Sequence, residues 1–252
     1  MRVVAIIQAR LGSSRLPGKV LADLGGAPML DRVIERARAA GTVSEAWVAC
    51  PNDPADDPLE RHCLAAGIPV GRGPGPDVLT RFRLTADRAR AEVVVRLTGD
   101  CPLLDPAIID QVVGALLESH PPADYAANVL ERSFPRGLDV EAFTIGALER
   151  MDRLGSSPSA REHVTLGPRA EHRGAFTVRN VRGPRDDSDL RWTVDTAEDL
   201  SFVRLVYERL GLATRILPFE DVVGWCRANP DLARVEGAAA TWDPIGGHAA
   251  IG

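Results

Sequence analysis

The sequence predicts an α/β protein built on a mostly parallel sheet, and three observations carry that expectation. Residues 2–8 (RVVAIIQ) and 92–98 (EVVVRLT) are apolar runs of strand length, rich in β-branched residues. Such runs suit strands covered on both faces. Segments of strand and helix character then alternate up to about residue 119, which implies right-handed crossovers between parallel strands. Finally, the first strand runs straight into a basic, glycine-containing loop, residues 9–19 (ARLGSSRLPGK). Open α/β sheets bind ligands at that position, beyond the carboxyl ends of strands.

The elements follow in order. Residues 28–40 have apolar positions at helical spacing, with Pro28 suited to the first turn and Gly41 to the stop. Residues 45–50 read as a strand, 51–57 as a turn, 59–66 as a helix closed by Gly67, and 68–70 as a third strand before the breaker-rich 71–76. Asp77 is placed to cap a helix over 77–90. The strand 92–98 ends in Gly99, Asp100, Cys101 and Pro102, and 107–119 is amphipathic. From Asp124 the rhythm changes. Residues 125–129 and 139–143 read as strands of a small β insertion, about 124–143, joined by a turn at 132–137. Residues 147–154 and 159–167 are helical in part, and 175–181 and 190–194 are strands joined by the charged loop 183–189, expected to be solvated or a lid. Helices are expected over 197–210 and 220–228. A single domain over 1–230 followed by an Ala- and Gly-rich tail, 231–252, without a fold is the expectation.

Hydrophobic residues make up 45% of the 252, enough for a full core, and Trp192 and Trp225 are candidates for it. A net charge of −5 argues against nucleic-acid binding. The four cysteines form no C-x-x-C pair, so reduced thiols are expected and a zinc cage is not. No stretch has transmembrane length and Arg10 interrupts any signal-like start. A soluble, cytoplasmic protein is expected.

The first loop carries Arg10, Arg15 and Lys19 with no acidic residue, and Gly12 and Gly18 free its backbone. Cations and amides converging in this way suit a nucleoside triphosphate. Five residues separate the glycines and Val20 follows Lys19, so this is not a Walker loop, and no G-x-G-x-x-G is present. The competing reading is a basic surface turn. Asp100 ends one strand and Asp195 follows another, Arg191-Trp192-Thr193-Val194. Two carboxylates arriving from strand ends fit magnesium, although either could simply cap a turn or helix.

The stretch IIQARLGSSRLPGKVL (residues 6–21) resembles the opening motif of the cytidylyltransferases that activate acidic sugars, proteins with a nucleotide-diphospho-sugar transferase fold. It looks most like the spore-coat polysaccharide biosynthesis protein F branch. PDVLTRF (76–82), LTGDCPLLDP (97–106) and RWTVDTAEDL (191–200) also match that branch. The resemblance spans about residues 1–210. It implies a three-layer α/β/α Rossmann-like fold and transfer of CMP from CTP to a sugar with release of pyrophosphate. Arg10 and Lys19 would bind the triphosphate, with Arg15 in the same loop and Gln8, Ala9, Leu11, Gly12, Ser13, Thr98 and Gly99 lining the nucleotide pocket. Asp77 and Arg81 would approach base and ribose. Asp100 and Asp195 would hold Mg2+, with Arg10, Lys19 and Asp100 catalytic. FPRGLDVEAF (134–143) and REHVT (161–165) resemble sugar-side elements, which places Arg136, Asp139, Glu141, Glu162 and His163 beside the acceptor. His163 is more simply a surface residue than a base, and Glu162-His163 is not a zinc motif. A homodimer is expected, with 124–143 available to dock a second subunit. A glycosyltransferase of the same fold would carry D-x-D at a strand end, where Gly99-Asp100-Cys101 offers one aspartate. A silent nucleotide-binding protein would not need both aspartates.

Overall fold

The computed structural model of the protein describes residues 1–233, so the expected tail lies outside the described residues from 234 on. Strand β1 (Val3–Gln8) sits between β2 (Glu45–Pro51) and β4 (Val93–Thr98), both parallel to it, and β3 (Val70–Gly73) is parallel to β2. Beyond β4 the direction reverses once. Strand β6 (Glu141–Thr144) pairs antiparallel with β4 and with β5 (Tyr125–Ala127), and β7 (Val178–Asn180) is parallel to β5. The order is β3-β2-β1-β4-β6-β5-β7. The start of β6 therefore shares one rim of the sheet with the ends of the other six strands.

The helices are α1 (Met29–Ala39), α2 (Asp57–Ala65), α3 (Val78–Ala89), α4 (Pro106–Leu117), α5 (Ile145–Leu154), α6 (Pro158–His163), α7 (Ala197–Leu210) and α8 (Phe219–Ala228). The apolar runs of β1 and β4 bury both faces, as their pattern requires. Val3, Ala5, Ile7, Val93, Val95 and Leu97 pack in one core with α1, α2, α4, α7 and α8. Val4, Ile6 and Val94 face the opposite core with α3 and α5. Helix starts are capped by side chains of the expected chemistry: Asp77 accepts from the Thr80 amide at 2.9 Å and Asp105 from that of Ala107 at 2.7 Å. No helix among the described residues is long and apolar enough to cross a membrane.

Three expectations need correction. The third strand lies over Val70–Gly73, displaced from the expected 68–70 into the stretch read as a breaker. Its glycines are there because α3 packs directly on it: a Cβ at Gly71 would lie 2.1 Å from Thr85 Oγ1, and one at Gly73 2.9 Å from the Arg81 Cα. Residues 124–143 do not form a separate insertion, because β5 and β6 are inner strands of the main sheet. Residues 190–194 are not a ladder strand. Their backbone bonds run to a loop, with a single bridge between Arg136 and Arg191, while Trp192 and Val194 are buried. The four cysteines are unpaired and buried.

Candidate active site

The loop after β1 is folded on itself before any side chain is considered. The Leu11 carbonyl accepts from Ser13 N–H at 2.8 Å and Gly18 N–H at 2.9 Å, and Gly18 turns the chain at φ 71°. Leu11 N–H donates to the buried Asp56 at 2.6 Å, which ties the loop to the turn before α2. Among the described residues the amides of Gly12, Ser14 and Arg15 have no internal acceptor, and a Cβ at Gly12 would meet open space. Arg10 and Arg15 are exposed. The loop can therefore receive an anion from solvent with backbone and guanidinium donors.

Beside it, the ends of β1 and β4 are clamped. Gly99 N–H donates to the Gln8 carbonyl at 2.9 Å, and a Cβ there would press on Ala9 at 3.2 Å. Gln8 Oε1 is buried without a partner, an orphan acceptor at the pocket's start. Thr98 Oγ1 lies 3.1 Å from Cys101 Sγ, and the sharp turn leaves Asp100 facing the crevice. Val194 N–H donates to the Asp100 carbonyl at 2.9 Å, so the segment bearing Asp195 is fastened to the turn bearing Asp100.

The structure brings the two predicted carboxylates together around one cation. Lys19 Nζ donates to Asp100 Oδ2 at 2.8 Å, to Asp195 Oδ1 at 3.1 Å and to the Val194 carbonyl at 2.7 Å. Burial alone would lower the Lys19 pKa, but Asp100 and Asp195 outweigh it and hold the ammonium above its ordinary value. Asp195 also meets Arg15 at 3.1 Å and Arg191 at 2.7 Å. Burial pushes its carboxyl up, yet these cations win and hold it below the usual carboxylate range. Lys19, expected to bind the triphosphate, has its charge engaged by the two aspartates in this structure. Both aspartates are hard oxygen donors and partly exposed, at 25% and 19%. Asp100 Oδ1 has only the Cys101 thiol near it, at 3.7 Å. That donor set fits a magnesium ion.

Other expected residues are placed differently. Asp77 caps α3 and binds Arg161 through both oxygens, at 2.9 and 2.8 Å. Burial would raise its carboxyl, but Arg161 and Thr80 hold it low. Arg81 is buried and donates to the carbonyls of Pro74 and Gly75. Both make bonds inside the fold that anchor the turn before α3. Glu141 is 2% exposed and is the hub of a buried network. It pairs with Arg96 and accepts from Tyr125 Oη at 2.5 Å and Thr165 Oγ1 at 2.6 Å, with Arg169 at 3.6 Å. Burial works against its charge, but Arg96 and Arg169 keep it ionised. A sugar cannot reach it directly.

Arg136 and Asp139 are half-buried. Asp139 is held by Arg132 in a bidentate pair at 2.6 and 2.9 Å, and its charge, with that of Asp100, bears on the Cys101 thiol. Glu162 and His163 are exposed at the end of α6. The His163 carbonyl accepts from the Thr165 amide across Val164, whose φ of 52° and ψ of −62° make a strained γ-turn. Arg161 fixes this segment to α3 and α5 through Asp77 and Asp152. On the flank where β7 ends, a cavity of about 270 Å³ is lined by Val129, Leu130, Glu131, Arg169, Arg173 and Asn180. The charged loop 183–189 is pinned by Arg227, which pairs with Asp187 at 3.0 Å and Asp189 at 2.5 Å.

Residues that sequence reasoning missed act behind the site. Asp199 accepts from the Asp195 and Thr196 amides at 2.9 Å each and pairs with Arg191 at 2.8 Å. The string Thr196-Ala197-Glu198-Asp199 carries the spacing of a capping box and could have revealed it. Asp56 and Arg169 carry no comparable local signal.

A seven-stranded, mostly parallel sheet, with a basic loop after β1 and two carboxylates brought together beside the ends of β1 and β4, fits an α/β protein of the nucleotidyltransferase class. The chain belongs to the cytidylyltransferase family, whose model matches residues 4–184. It is 32% identical over 238 residues to the spore coat polysaccharide biosynthesis protein SpsF of Bacillus subtilis, with 92% of this chain and 96% of that one covered. It is 35% identical over 177 residues to a 3-deoxy-manno-octulosonate cytidylyltransferase of Anaeromyxobacter dehalogenans, covering 65% of this chain and 72% of that one. A solved cytidylyltransferase from Leptospira borgpetersenii superposes with a TM-score of 0.85 at 31% identity, covering 94% of this chain and 98% of that one. The CTP-complexed CMP:2-keto-3-deoxy-manno-octonic acid synthetase, at 23% identity and a TM-score of 0.65, shares the fold over 83% of this chain and 99% of that one.

Proposed function

We propose that this cytidylyltransferase transfers CMP from CTP to a hydroxyl of an acidic or modified sugar, releasing pyrophosphate, in the supply of polysaccharide or glycoconjugate precursors. The observation that carries the reading is the meeting of the Arg10–Arg15 loop with the Asp100–Asp195 pair at the ends of β1 and β4. A sugar oxygen attacks the α-phosphorus in line. A new P–O bond forms as the hydroxyl proton passes to solvent, the bond from the α-phosphorus to the bridging oxygen breaks, and its electron pair leaves with pyrophosphate. Such transfer relies on positioning and charge neutralisation. Arg10, Arg15 and the amides of Gly12, Ser14 and Arg15 are placed to take charge on the leaving group. Gln8, Ala9, Leu11, Ser13, Thr98 and Gly99 form the wall against which the nucleotide lies. Asp100 and Asp195 would hold Mg2+, which supplies neutralisation of the reacting phosphate.

Arg136, Asp139, Glu162 and His163 form the acceptor side in this reading. Arg169 and Arg173 line the cavity beside β7 with Glu131, a mixed set that offers an acceptor sugar both donors and an accepting oxygen. A cytoplasmic location and a homodimer complete the proposal.

The test is pyrophosphate release with CTP, UTP, GTP and ATP against a panel of acidic sugars, with and without Mg2+. Release is expected with CTP and Mg2+ only. A preference for another nucleotide, or release without Mg2+, overturns the reading.

A further inference from the structure

Unlike the exposed Arg10 and Arg15, Lys19 points inward, and its side chain is 11% exposed. An ammonium has three donors. All three are taken, by two carboxylates and a carbonyl, at 2.8, 3.1 and 2.7 Å. Two carboxylates and a neutral oxygen are also what a hard divalent ion asks for. The position between Asp100 and Asp195 is therefore filled by a cation tethered to the chain. Asp195 carries Arg15 and Arg191 besides. A free divalent ion approaching the pair meets three positive groups and finds both carboxylates already compensated.

We propose that Lys19 is the built-in counter-cation of the aspartate pair, excluding free metal and yielding its place only to metal that arrives with nucleotide. The proposal rests on the nucleotidyl-transfer reading of this site. A triphosphate changes the balance because its oxygens offer the Lys19 ammonium new acceptors while the carboxylates are freed for the metal. The exchange needs only the side chain. The Lys19 amide stays on the Leu16 carbonyl at 3.2 Å and its carbonyl holds the Ala22 amide at 3.1 Å. The flexible four-carbon stem can swing between the two partners. Metal and nucleotide binding are then coupled through one residue, and the coupling is reciprocal.

The test uses Mn2+ alone, titrated into nucleotide-free protein and followed by electron paramagnetic resonance. Lys19→Met is expected to bind Mn2+ about tenfold or more tightly than the wild type. Lys19→Arg, which keeps the charge, is expected to match the wild type. Adding Asp100→Asn to Lys19→Met is expected to remove the gain. Equal Mn2+ affinity in the wild type and a folded Lys19→Met, checked by its melting curve, overturns the proposal, as does a gain that survives Asp100→Asn. A second measurement does not depend on that variant. The Lys19 ammonium resonance of the wild type should ignore Mg2+ alone and shift with Mg2+ plus CTP, and a shift with Mg2+ alone also overturns the proposal. Absence of pyrophosphate release with every nucleotide would remove the transfer reading while leaving these titrations to decide this one.

Discussion

Asp199 touches none of the expected ligands, yet it sets the direction of Asp195. Its side chain is 2% exposed. Burial alone would raise its carboxyl, but the Asp195 and Thr196 amides and the Arg191 guanidinium bring it down to about 2. Because the folded value lies below the ordinary one, the stabilisation is present at neutral pH and lost as pH falls towards the folded value. That shift amounts to roughly 2 kcal/mol. Asp199→Asn is expected to lower stability by about that much at pH 7 and to flatten the acid limb of the stability curve between about pH 5 and pH 2. Denaturant titrations across that range check it, and an unchanged acid limb would refute the assignment. At this scale the sequence is legible where one residue does its work within a few positions of itself. Asp77 as a cap and Asp100 at a strand end were readable for that reason. Arg81 and Glu141 were not, because their partners arrive from segments whose approach only folding creates.

Strand β3 shows the same limit for a whole element. Three of its four residues, Gly71-Arg72-Gly73, read as a breaker, since glycine weakens isolated strands. In the fold those glycines admit α3 at a distance no side chain would allow. Gly73→Ala is expected to cost about 1–3 kcal/mol, because the intruding methyl meets the Arg81 backbone rather than a flexible tip. The urea midpoint should fall while the slope stays unchanged. An unaltered midpoint would show that α3 can give way. Long apolar runs such as β1 and β4 were legible because burial on both faces leaves its mark on composition. Strands of three or four residues, such as β5 and β7, hold too little periodicity to show which sheet they join.

Across the whole molecule, the parallel half of the sheet and the crevice at its rim were foreseeable from the order of the elements. The reversal at β6 was not, since the direction of pairing leaves no trace in a strand's own residues. Strand β7 is an edge of the sheet, paired only with β5 among the described residues. A homodimer formed across this edge is the expectation. Sedimentation velocity should report twice the 27.1 kDa of one chain, and a species of single-chain mass would end the idea.

Gly137 adopts φ 108°, and a Cβ there would lie 2.8 Å from the Thr193 nitrogen and 2.9 Å from the Trp192 carbonyl carbon. Its neighbour Arg136 exchanges backbone bonds with Leu190 and Trp192, at 2.9 and 2.7 Å. The stretch around Arg136 and Gly137 is thereby stitched to the chain that carries Asp195, three residues beyond Trp192. A side chain at Gly137 would therefore press on the backbone that leads to Asp195, and a substitution there is expected to disturb both segments at once.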